Sequence, residues 1–94
     1  MNIVKLDKDR ELRFDYRALC ALEEVCHVNV YEKNLFDNLS ASRIRDLVWA
    51  AQLHTEKPLS REKVCEYLPL DVESLVEVGN VVAKALIDAT KKKE

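Results

Sequence analysis

The chain has 94 residues, enough for one small domain and too few for two. Hydrophobic residues make up 48% and charged residues 34%, a balance that suits a folded domain and argues against a disordered chain. Lys and Arg total 15 against 17 Asp and Glu, so the net charge of −2 lacks the basic footprint of a nucleic-acid binder.

No apolar run approaches the ~20 residues of a membrane-spanning helix. The opening Met1-Asn2-Ile3-Val4-Lys5-Leu6-Asp7 has neither the basic start nor the apolar stretch of a signal peptide. Cys20, Cys26 and Cys65 match no metal or redox spacing, which predicts reduced thiols in the cytoplasm.

Along the chain, Ile3 to Leu6 and Glu11 to Phe14 alternate apolar and polar side chains around the charged turn Asp7-Lys8-Asp9-Arg10. That pattern predicts a half-buried β-hairpin, which needs helices to lie against. Asp15 is placed to cap a helix over Tyr16 to His27, with Ala18, Leu19, Ala21, Leu22, Val25 and Cys26 on its inner side. Asn29 and Glu32 resemble a capping box and predict a short helical turn from Val30 to about Leu35.

Ser40 caps the next helix, Ala41 to His54, which Pro58 forces to stop. Ile44, Leu47, Val48 and Ala51 form one face of it, and Trp49 with Leu53 lies roughly opposite. Ser60 restarts a helix from Arg61 to Leu68, and Pro69 ends it. Asp71 caps a long helix from Val72 to about Ala89. Its expected core stripe is Val72, Leu75, Val76, Gly79, Ala83, Leu86 and Ile87, and Val78, Val81, Val82 and Ala85 widen the apolar zone. Glu73, Glu77, Asn80, Lys84 and Asp88 occupy a narrow polar strip. Gly79 costs ~1 kcal/mol inside a helix, which predicts that another backbone passes close by.

These elements predict a mainly α fold of four to five helices with a short N-terminal β-hairpin. Residues 1–90 form one domain, and 91–94 a frayed basic tail.

Chemistry-bearing constellations are scarce. Cys20 and His27 are seven helical residues apart, ~10 Å along the axis and too far for a thiolate–imidazole pair. Glu23 and Glu24 diverge by ~100° and read as a solvated face. There is no phosphate-binding glycine loop, and no metal or cofactor is expected. Helices flanking Pro58 could form a helix-turn-helix, but Glu62 and Glu66 on the second would repel DNA phosphates.

What remains is surplus apolar surface. For Trp49 and Leu53 the simpler explanation is a central helix covered on both sides. The sharper one is a contact face, where aromatic residues are enriched. Trp49, Leu53, Val78, Val81 and Ala85 are the candidate partner-binding residues.

The order of features resembles the small tail assembly chaperones of tailed phages and gene transfer agents. The matching segments are Leu12-Arg13-Phe14-Asp15, Ala21-Leu22-Glu23-Glu24, Asp46-Leu47-Val48-Trp49-Ala50-Ala51 and Pro58-Leu59-Ser60-Arg61-Glu62-Lys63-Val64, then the long last helix. The resemblance runs from about Leu12 to Ala89. It implies a non-catalytic protein of the bacterial host cytoplasm that binds apolar helical segments of the tape measure protein, and the tail tube protein as a further contact, then leaves before the particle is complete. The alternative is a small helical adaptor or regulatory module acting as a homodimer. Neither needs nucleic acid or a membrane.

Overall fold

The computed structural model describes residues 2–32, 35 and 39–91. In chain order its elements are β1 (Ile3–Lys5), β2 (Asp9–Glu11), α1 (Tyr16–Cys26), α2 (Ala41–Ala51), α3 (Arg61–Tyr67) and α4 (Val72–Thr90). The fold is mainly α with an N-terminal hairpin. Helix α2 contacts α1, α3 and α4, while β1 lies against α4.

The hairpin pairs Ile3 with Glu11, Val4 with Arg10 and Lys5 with Asp9, antiparallel. Its second strand therefore begins two residues before the expected Glu11–Phe14. The side chain of Arg10 is the reason. It is 3% exposed, and its Nε and Nη2 donate to the two Asp7 carboxylate oxygens at 2.8 and 2.9 Å, which fastens the turn. Leu12 and Phe14 are buried as expected, but as an extended segment that leaves the hairpin for α2. There the Arg13 N–H donates to the Ala51 carbonyl at 2.9 Å.

Asp15 caps α1, accepting from the Ala18 N–H at 2.8 Å. Ala18 and Leu22 fill the inner face, whereas Val25, expected inward, is 46% exposed. The helix stops at Cys26 because His27 turns left-handed, with φ 57° and ψ 36°. Glycine is the usual residue for that geometry. Here the N–H groups of His27 and Val28 both reach back to the Leu22 carbonyl, offsetting part of the steric cost. The helical turn expected at Val30–Leu35 falls partly outside the described residues. Within them, the Asn29 side chain accepts from the Tyr31 N–H and Leu35 is buried.

Helix α2 ends at Ala51, three residues before the expected His54. Pro58 is not the direct cause. Gln52, with no exposed surface, donates from Nε2 to the Trp49 and Leu59 carbonyls at 2.8 and 2.9 Å, and its Oε1 accepts from the Leu59 N–H at 2.7 Å. One side chain thus satisfies a terminal helix carbonyl and folds the following loop back on itself. Thr55 adds to it, donating to the Gln52 carbonyl at 2.6 Å while accepting from Arg10 Nη1 at 3.0 Å. His54 Nε2 lies 3.0 Å from the Glu11 carbonyl, which can only accept, so that nitrogen carries a proton. Lys57, just before Pro58, takes φ 52° to complete the loop.

Ser60 and Asp71 cap α3 and α4 as expected, accepting from Lys63 and Ser74 N–H groups. The resulting core joins Leu12, Leu22, Leu47, Val48, Val64 and Val82, each at most 1% exposed.

Two outcomes follow from the polar connections. Gln52→Leu would leave the Leu59 carbonyl and N–H without partners and the Trp49 carbonyl with only the residue-52 backbone N–H at 3.3 Å, and should cost about 2–4 kcal/mol in urea unfolding. The Arg10 hydrogen bond lowers the Asp7 carboxyl from 3.8 to about 2. The folded state therefore binds fewer protons, and this contribution is complete above the unfolded value and fades as pH falls toward 2. Asp7→Asn should unfold at a lower temperature than the wild type at neutral pH, with the gap closing in acid.

Candidate functional site

Helix α4 is apolar over more of its circumference than the other described residues cover. At ~100° per residue, Val78, Val82, Ala85 and Leu86 share a sector of about 100°. All four are buried. Val72, Val76, Gly79, Ala83 and Ile87 share a neighbouring sector of about 80°. Val72 is 77% exposed, Val76 55% and Ile87 61%. Of the expected stripe, Val72, Val76 and Ile87 are thus exposed and Leu86 is buried, while the sector expected as surplus is largely the core. Helix α2 and the hairpin decide this: both pack on α4, and the Asn2 side-chain amide donates to Asp88 at 3.1 Å.

Of the sequence-based candidates, Val78 and Ala85 are therefore corrected to core residues with no surface for a partner. Val81 is half-buried beside them, at the edge of the β1 contact. Trp49 and Leu53 are also half-buried. Helix α2 is covered on several sides, with Ile44, Asp46, Leu47, Val48, Ala50 and Ala51 all buried, as the central-helix reading requires. The Arg61 guanidinium sits 5.8 Å from the Trp49 ring centroid, within cation–π range, and covers part of the ring.

The same Arg61 belongs to a charged cluster between α1, α2 and α3. Asp46, buried on α2, accepts from Arg45 Nε at 3.0 Å, and Arg61 Nη1 stands 3.7 Å from it. Arg61 Nη1 also approaches Cys26 Sγ at 3.8 Å. Burial, and then the Asp46 charge, push the Cys26 thiol up, so it stays a neutral thiol. This cluster fixes helices to one another. Cys20, Cys26 and Cys65 are free thiols. Among the described residues no three His, Cys, Asp or Glu side chains meet in a metal-sized group, and no helix is long and apolar enough to cross a membrane.

The exposed sector of α4 does not stand alone. Beside it runs a groove of about 420 Å³, walled by Leu39 and Ile44 on one side and by Leu75, Val76 and Ala83 on the other. Leu75 also lines an adjoining hollow of about 520 Å³ with Leu68, Pro69 and Leu70. Leu70, 98% exposed between Pro69 and the capping Asp71, marks its outer rim. Together these form an apolar track along α4, bordered by Glu73, Asn80 and Lys84. Sequence reasoning did not single out Leu70, Val72, Val76 and Ile87 as the exposed apolar residues. The available signal was the total width of the apolar sector, which one small core cannot cover.

No protein-family model, curated protein or solved structure matches the chain.

Gly79 lies in the middle of the track. The backbone approach expected there is absent, since a Cβ added at Gly79 meets nothing within 4 Å. Gly79→Ala should accordingly raise stability by about 0.5–1 kcal/mol, through helix propensity alone, in a thermal melt.

Proposed function

We propose that this protein is a non-catalytic holder of apolar helical segments, and that the α4 track is where the client lies. The observation that carries the reading is the juxtaposition of three bulky exposed aliphatic side chains, Val72, Val76 and Ile87, with a groove walled by Leu39 and Ile44. An amphipathic helix can lay its apolar face on such a surface, with anchors spaced three or four residues apart. The track is one helix wide, which suits release better than permanent assembly.

The resemblance of Leu12 to Ala89 to tail assembly chaperones supplies the finer reading. On it, the client is the tape measure protein, held in the cytoplasm of a bacterial host while the tail tube grows around it, and the holder is absent from the finished particle. The Trp49 segment, which carries much of the likeness, then builds the scaffold, and α4 makes the contact.

Co-expression with a tape measure protein tests this directly. The wild type should co-purify with it and raise its soluble yield. Val76→Glu places a carboxylate on exposed surface, so it should melt as the wild type does yet lose client affinity roughly tenfold or more. A wild type that neither co-purifies nor improves solubility would overturn the proposal.

A further inference from the structure

The exposed sector of α4 is self-complementary. Read from its two ends toward a midpoint near Val81, it runs bulky, small, small, bulky: Val76, Gly79, Ala83, Ile87. On its polar border the charges change sign across the same midpoint. Glu73 lies on the N-terminal side, and Lys84 and Lys91 on the C-terminal side, all three exposed. None of the three makes an ion pair among the described residues.

A second copy laid antiparallel along this face sets Val76 against Ile87 and Gly79 against Ala83, each twice by symmetry. It also brings Glu73 toward Lys91. The midpoints of these three pairs agree to within about 2 Å along the helix axis. A parallel two-fold would instead turn this border to opposite sides of the interface in the two copies, where Glu73 and Lys91 could not pair. Opposite-signed charges across an interface fix its register and exclude the wrong one. Gly79 and Ala83, small at the crossing point, allow the two backbones to approach while the larger residues on either side interdigitate.

We propose that the α4 track is closed by the same track of a second copy, antiparallel across Gly79 and Ala83, until a client helix displaces it. The proposal rests on the reading of this face as the client site, and makes self-association the means by which that site is kept covered. The contact is one helix wide and about 28 Å long, and falls short of the ~800 Å² per partner of a standard stable interface. The dimer is therefore an exchanging one, with dissociation in the micromolar range, weak enough for a client to compete.

Sedimentation velocity across concentrations from about 1 μM to 1 mM, bracketing that range, tests this. The wild type should pass from monomer to dimer. Gly79→Glu puts two carboxylates at the crossing point while its Cβ meets open space within the monomer. It should weaken dimerisation at least tenfold with the circular dichroism spectrum and melting temperature retained. Lys91→Glu should weaken it several-fold, and Glu73→Lys with Lys91→Glu in one chain should restore it, as only the antiparallel register allows. A wild type that stays monomeric throughout, or a Gly79→Glu variant that dimerises like the wild type, overturns the proposal.

Adding a tape measure helical peptide separates the two readings. Conversion of dimer to a monomer–peptide complex supports both. A dimer that no peptide displaces or binds retains self-association and removes the client role. Peptide binding by a strictly monomeric wild type, lost in Val76→Glu, removes the dimer and retains the client role.

Discussion

Much of this structure hangs on how the C-terminus of α2 is finished. A helix end leaves carbonyls without partners, and at the centre of a small domain water cannot supply them. Gln52 supplies one by turning its amide back onto Trp49, and with the same amide it grips both polar groups of the Leu59 backbone. Arg13 supplies another through its backbone N–H to Ala51. From Gln52 the connection continues through Thr55 to Arg10 and Asp7. A single polar chain therefore links the hairpin turn, the end of the central helix and the loop that starts α3. Gln52 and Arg10 are themselves buried, so leaving their polar groups without partners would be costly.

That arrangement places the N-terminal strands on α4. With the hairpin anchored to the end of α2, β1 covers the Val78 side of α4, and the remaining apolar sector is left facing outward. The exposed apolar surface is in this sense a consequence of the scaffold: the helix has two apolar sectors, and the other described residues cover one. Trp49, the most conspicuous residue of the sequence, belongs to the scaffold, its ring partly shielded by Arg61. The exposed apolar side chains are plainer residues, Leu70, Val72, Val76 and Ile87.

Much of the fold was legible in the sequence because its signals are local. Asp15, Ser40, Ser60 and Asp71 each cap the helix they were expected to cap, since a short oxygen-bearing side chain before an apolar-periodic run needs only its own next three residues to act. The hairpin, too, was visible as alternation around a charged turn. What was not legible depends on distant partners. The second strand begins at Asp9 because Arg10 finds Asp7 and Thr55. Helix α2 ends at Ala51 because Gln52 finds Leu59. Val25, apolar and on the expected inner side of α1, lies outward, uncovered by the other described elements.

The sequence by itself determined that the chain is mainly helical, where its helices begin, and that α4 carries more apolar surface than a small core can hide. Periodicity and capping are properties of neighbouring residues, so they survive without knowledge of the fold. Only the tertiary structure decided which sector of α4 is core and which is surface. A helical wheel is indifferent to direction: two adjoining apolar sectors are equivalent until something packs on one of them. The choice was made by α2 and by β1, the latter held in place by residues nearly fifty positions away from it, and it left Val72, Val76 and Ile87 of the expected stripe on the surface.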